Sequence, residues 1–198
     1  MIVRDAPGCH ESRVRIIAGK AGRLAIKVPG AVARPTTDFV RQALFSILGE
    51  KVDDARTLDL FAGSGAIGLE ALSRGAASCV FVDEHRQAVS VIGENLAKSR
   101  LEGGRVVRSE VSSYLRTDPG SYDLIFADPP YFKNYGDRDH VKELLANPHL
   151  SLRLAPGGWF IAEISSSQKS PLAEGWSLLD RREYGGCAIL LYAPVAAA

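Results

Sequence analysis

The chain has 198 residues, 46% of them hydrophobic and 24% charged, with a net charge of +1. Those values describe one ordinary globular domain with enough chain to bury a core, and no apolar run approaches the roughly 18 residues that a membrane-spanning helix needs. Three distant cysteines (Cys9, Cys79, Cys187) form neither a CxxC pair nor a zinc spacing, and the four histidines are scattered, which speaks against a disulfide framework and against a metal site.

The first residues, MIVRDAPGCHESR, contain no apolar signal core, so a reducing, cytoplasmic setting is expected. Residues 1–12 read as an irregular tail. Charge is uneven after it: residues 13–41 hold seven basic side chains and one acid, a net +6, leaving −5 for the remainder. Such asymmetry predicts a polyanion-binding arm on a near-neutral body, with Arg15 and Lys20 as contacts. Within 13–34, RVRIIAGKAGRLAIKVP shows two strand-like runs around Gly19–Gly22, hence a small N-terminal β-hairpin extension. RPTTDFVRQALFSILGE predicts a helix capped by Thr36 or Thr37, with an apolar stripe at helical spacing.

From Thr57 onward strands and helices alternate. TLDLFA, SCVFVD, GRVVRS, YDLIFAD and GGWFIAEI read as strands. AIGLEALSRG, RQAVSVIGENLAKSR, EVSSYLR and DRDHVKELLANP read as the helices between them. WSLLDRREY and CAILLYA close the chain as two strands joined around Gly185–Gly186. The expected fold is α/β: a mostly parallel sheet with helices on both faces and an antiparallel edge. Residues 35–198 form its main domain.

LDLFAGSGAIGLEA sets Gly63, Gly65 and Gly68 at GxGxxG spacing between the first sheet strand and a helix. Asp83 follows 20 residues after Gly63, at the end of the next strand, where a carboxylate can hold both hydroxyls of a ribose. Nicotinamide dinucleotides and S-adenosylmethionine both use such a corner. Asp59, just before the loop, disfavours a pyrophosphate and favours a cationic ligand; it can equally cap the loop backbone. The balance points to S-adenosylmethionine.

The fourth strand ends in FADPPYF. If it neighbours the first, Asp128 and Tyr131 face the cofactor. An exocyclic amine is a poor nucleophile because its lone pair is delocalised into the base. The Asp128 carboxylate and the Pro129 carbonyl, held by Pro130 in a stiff turn, would hold both N–H groups and aim the lone pair. Tyr131 offers a face for stacking the base.

RIIAGKAGRLAIKVP, RPTTDFVRQALFSIL, LDLFAGSGAIGLEALSRGAASCVFVD and ADPPY, in that order over about residues 13–164, resemble the RsmD family of 16S ribosomal RNA (guanine-N2)-methyltransferases. The resemblance implies a Rossmann-like, seven-stranded, S-adenosylmethionine-dependent methyltransferase fold, acting as a monomer on 16S rRNA or the assembling small subunit. It implies a cofactor site at Asp59, Phe61, Gly63, Gly65 and Asp83, with Glu110 in the place of an adenine contact and Glu84 competing for the ribose. It implies an amine site at Asp128, Pro129, Pro130 and Tyr131, bordered by Arg34, Thr36, Thr37 and Asp38. DNA adenine-N6 and protein glutamine-N5 methyltransferases share the tetrapeptide; a nicotinamide-dependent oxidoreductase and a non-catalytic RNA-binding protein are readings of other classes.

Overall fold

The structure, a computed structural model, describes residues 14–30, 37–131 and 137–195. The expected tail 1–12, together with Arg34 and Thr36, lies outside the described residues. Seven strands form one sheet in the order β3-β2-β1-β4-β5-β7-β6. They are β1 (Arg56–Leu60), β2 (Ser78–Asp83), β3 (Gly104–Arg108), β4 (Tyr122–Ala127), β5 (Leu154–Ser165), β6 (Trp176–Tyr184) and β7 (Cys187–Pro194). β1 pairs in parallel with both β2 and β4, and β4 with β5. β7 pairs antiparallel to β5 and β6 and so runs against the rest.

Side chains alternate across each strand. One face carries Leu58, Leu60, Ile125, Ala127, Phe160 and Leu190 into a core. That core is closed by α4 (Val111–Thr117), α5 (His140–Ala146) and α6 (Pro148–Leu152). The other face carries Leu124, Phe126, Ile161, Ile189 and Leu191, and, over β2, Cys79 and Phe81. It is closed by α1 (Asp38–Leu48), α2 (Ala66–Ser73) and α3 (Arg86–Ser99).

α1 forms where its stripe predicts. Thr37 is the cap, its side chain accepting from the Val40 N–H, and Val40, Leu44, Phe45 and Leu48 point inward. α2 lies against the sheet more closely than a Cβ allows. A Cβ on Gly68 would sit 2.3 Å from the Phe81 ring and 2.5 Å from Cys79 Sγ, so this glycine permits helix–sheet contact.

The hairpin is shorter and more embedded than its sequence suggests. One antiparallel bridge, Arg15 to Ala25, joins its arms. The N–H groups of Ile17 and Ala18 donate instead to the fully buried Glu70 carboxylate of α2, at 2.6 and 3.1 Å. Val14, Ile16 and Ile26 are buried against Leu69, Leu72 and Ile92. Asn95 of α3, fully buried, accepts from Lys27 N–H and donates to the carbonyls of Lys27 and Ser64. It thereby ties the hairpin to the glycine loop. Among the described residues, no helix is long and apolar enough to cross a membrane.

Candidate active site

The site lies where the parallel strands end. Leu60 of β1 pairs with Ala127 of β4, so the glycine loop and the DPPY corner leave the sheet side by side. The helices that follow these two strands lie on opposite faces of the sheet, which leaves a crevice between the two strand ends. This is the crevice in which open α/β sheets bind ligands.

Phe61 turns the chain out of β1 with φ +58°. Its ring packs on His140 at the start of α5, centroids 5.2 Å apart. Gly63 has φ +56°, and a Cβ there would meet only the Phe61 carbonyl, at 3.8 Å; the loop is open for a ligand to lie against it. Gly65 caps α2 in the left-handed conformation. Asp83 closes β2, accepting from Gly63 N–H and His85 N–H at 2.9 Å each. It therefore holds the loop and the start of α3 together. Its neighbour Glu84 keeps an exposed side chain, and the Glu84 backbone carbonyl accepts from Arg108.

Asp59 is buried beneath the loop and accepts from Gly68 N–H at 3.0 Å. Burial pushes its carboxyl well above the usual range; the Gly68 N–H opposes this, while the Asp128 and Asp83 charges add to it. Its direct contact is thus with backbone, and its influence on a cation above the loop is through space. Glu110 caps α4, accepting from Ser112 and Ser113 N–H at 2.9 and 2.7 Å.

Asp128 is half-buried, Pro129 buried, Pro130 exposed and Tyr131 half-buried. The Tyr131 hydroxyl donates to Glu163 of β5 at 2.5 Å. Burial, and then the Glu163 and Asp128 charges, raise the phenol far above its ordinary value, so it stays a donor. Cys187 stands at the start of β7; burial and the Glu163 carboxylate push its thiol up to about 12. Glu163 is a site residue that the sequence patterns do not single out. Its one signal is an acid inside the apolar run FIAEI, close to the end of its strand.

The basic residues divide. Asp38 bridges exposed Arg15 and buried Arg41, at 2.8 and 2.7 Å, beside the cap of α1. Arg41 also donates to the Arg15 carbonyl, and Asp128 lies within reach of its charge. Lys20 is elsewhere: its N–H donates to the Ser73 carbonyl, at the far end of α2 from the glycine loop, about 12 Å along the helix axis. Among the described residues, no group of three or more His, Cys, Asp or Glu could hold a metal ion.

Known proteins are similar to this chain in sequence and in fold. The family described as "Conserved hypothetical protein 95" (Cons_hypoth95) matches residues 14–193. Ribosomal RNA small subunit methyltransferase D of Escherichia coli K12 is 34% identical over 188 residues, covering 91% of this chain and 89% of that protein. The solved structure of yhhF from Escherichia coli superposes with a TM-score of 0.78 at 35% identity, over 93% of this chain and 99% of the other. A hypothetical protein of Thermus thermophilus gives 0.75 at 34%, over 92% and 99%. By the family match over residues 14–193 and these relatives, the chain belongs to the RsmD family of methyltransferases.

Proposed function

We propose that this methyltransferase uses S-adenosylmethionine to methylate the exocyclic N2 amine of a guanine in 16S ribosomal RNA, in the cytoplasm. The observation that carries the reading is the pairing of Leu60 with Ala127, which sets the DPPY corner beside the glycine loop.

The residues fit that cofactor. The open face at Gly63 admits a nucleoside without a phosphate, and the acids at the end of β2 suit a ribose diol. A cationic ligand above the loop favours the ionised form of Asp59, which burial disfavours, whereas a pyrophosphate would disfavour it further. S-adenosylmethionine bound there supplies an electrophilic methyl group.

The chain's own groups do the rest. A guanine unstacked from its RNA lies against the Tyr131 ring. Asp128 accepts one N–H of its amine and the Pro129 carbonyl the other. Both oxygens hold the lone pair toward the loop and stabilise positive charge as it develops on nitrogen. The proline pair fixes these acceptors before the substrate arrives. The Tyr131 ring does not swing, because its hydroxyl is bonded to Glu163. Arg15 and its neighbours at the start of α1 attract the RNA backbone.

Transfer of a labelled methyl group should appear in 16S rRNA, naked or in small subunits. Label in DNA or protein alone would instead favour the adenine-N6 or glutamine-N5 reading. Asp128→Ala should abolish transfer and leave calorimetric S-adenosylmethionine affinity intact; parallel loss of both would make Asp128 a cofactor or folding residue.

A further inference from the structure

The amine corner does not end at Tyr131. Cys187, whose thiol feels the Glu163 charge, donates to the Tyr184 carbonyl at 3.4 Å. The Tyr184 ring meets Phe39 edge-on, centroids 5.8 Å apart and planes at 78°. All these groups stand on the same edge of the sheet. β7 begins there because it runs antiparallel, β6 ends there, and α1 starts there with Val40 over Glu163.

Phe39 is 65% exposed. An isolated exposed apolar residue needs no explanation, but this one has three unusual features. It is the aromatic member of the exposed large hydrophobics among the described residues; the others are Leu152, Leu172, Leu179 and Val195. It is not a leftover of the α1 core stripe, which Val40, Leu44, Phe45 and Leu48 already fill. Its ring is braced by Tyr184, which itself packs on the α1 core. Beyond Tyr184, a Cβ on Gly185 or Gly186 would meet nothing within 4 Å, so among the described residues the turn adds no side chain over the pair.

We propose that Phe39 and Tyr184 form a stacking site for a base of single-stranded RNA next to the methylated nucleotide. The inference rests on the RNA reading above. Once a base is extruded into the corner, its neighbour loses a stacking partner. A braced aromatic face on the same edge replaces it. Every base has a π-face, so such a site grips without reading sequence. It also requires no charge on the protein.

The test uses the full chain, with 16S rRNA and a short fluorescein-labelled oligouridylate as probes. Phe39→Ala should weaken binding of both about tenfold, raise KM for 16S rRNA, and leave kcat, S-adenosylmethionine affinity and thermal stability unchanged. Phe39→Trp and Phe39→Tyr should restore affinity, and Phe39→Leu should not. The new indole in Phe39→Trp should be quenched by the oligouridylate. The slope of log affinity against log salt should be the same in Phe39→Ala as in wild type, since no phosphate contact is lost. Wild-type affinity in Phe39→Leu would overturn the stacking site and leave the methyltransferase reading standing. So would a wild-type dimer that Phe39→Ala dissolves, because the pair would then face a second copy. Failure of the wild type to bind either RNA would overturn both readings.

Discussion

Asn95 offers the sharpest test of how the hairpin and the cofactor loop are joined. Asn95→Ala removes three hydrogen bonds: Lys27 N–H to Oδ1 at 2.8 Å, and Nδ2 to the carbonyls of Lys27 and Ser64 at 3.0 Å each. The Ser64 bond is buried, and its carbonyl loses its partner with no water to replace it, at about 2 kcal/mol. The two Lys27 groups are nearer solvent and cost about 0.5 kcal/mol each. The sum, about 3 kcal/mol, corresponds in a chain of this size to a fall in Tm of about 6–12 °C. Asn95→Asp should be no better. It keeps the acceptor for Lys27 N–H but sets a carboxylate against two carbonyl oxygens. Calorimetric melting measures the loss, and titration with S-adenosylmethionine should show weaker binding, because Ser64 lies inside the glycine loop. A loss below about 1 kcal/mol would show that the three bonds are replaced by solvent and that the clamp is not a clamp.

Glu163→Ala should lower kcat/KM for RNA on the order of tenfold, the worth of one hydrogen bond to a charged acceptor. Glu163→Gln, which keeps an acceptor for the Tyr131 hydroxyl, should restore most of it. In a Tyr131→Phe background, Glu163→Ala should change little; a full effect there would mean that Glu163 does not act through the tyrosine. Glu110→Ala should cost about 1 kcal/mol as a lost helix cap. Desolvation raises the Glu110 carboxyl, but the amides of Ser112 and Ser113 outweigh it and leave it below the usual range. Its contribution is thus complete above about pH 4.3 and fades as pH falls through the lowered value. Melting curves between neutral and acid pH should show wild type and Glu110→Ala converging. An unchanged S-adenosylmethionine affinity in this variant would confine Glu110 to capping.

Periodicity carried most of the architecture because the central strands are buried on both faces and the helices on one. It failed where a neighbour, not the local pattern, decides. Asn147-Pro148 reads as a helix stop, since proline cannot continue α5. The structure ends α5 there, and Asn147 caps a further helix, α6, with Pro148 in its first turn. GGWFIAEI begins after Ala155-Pro156, yet β5 already pairs at Leu154 with Tyr122 and then bulges before Trp159 pairs with Leu124. The hairpin arms are apolar enough for longer strands, but Glu70 captures the Ala18 amide that a longer ladder would use, along with the outward-facing amide of Ile17. Nothing in GLEAL marks that glutamate as buried; a charged residue at a helical position ordinarily faces water. The glycine loop and DPPY were legible because their geometry demands particular residue types. Glu163 was not, because its role depends on which strand lies beside Tyr131.

The docking of the hairpin has a consequence for the order in which the protein takes shape during synthesis. Ile17 meets Glu70 across 53 positions, and Lys27 meets Asn95 across 68. The arms are made first, yet the surface that buries Val14, Ile16 and Ile26 does not exist until α2 and α3 have left the ribosome. At roughly 5–20 residues per second, that interval is about 3–14 s for the Lys27 contact. Throughout it, three apolar side chains and the amides of Ile17 and Ala18 have only water or a chaperone for company. The hairpin is therefore obliged to wait for helices translated after it, and it locks the glycine loop only when they arrive.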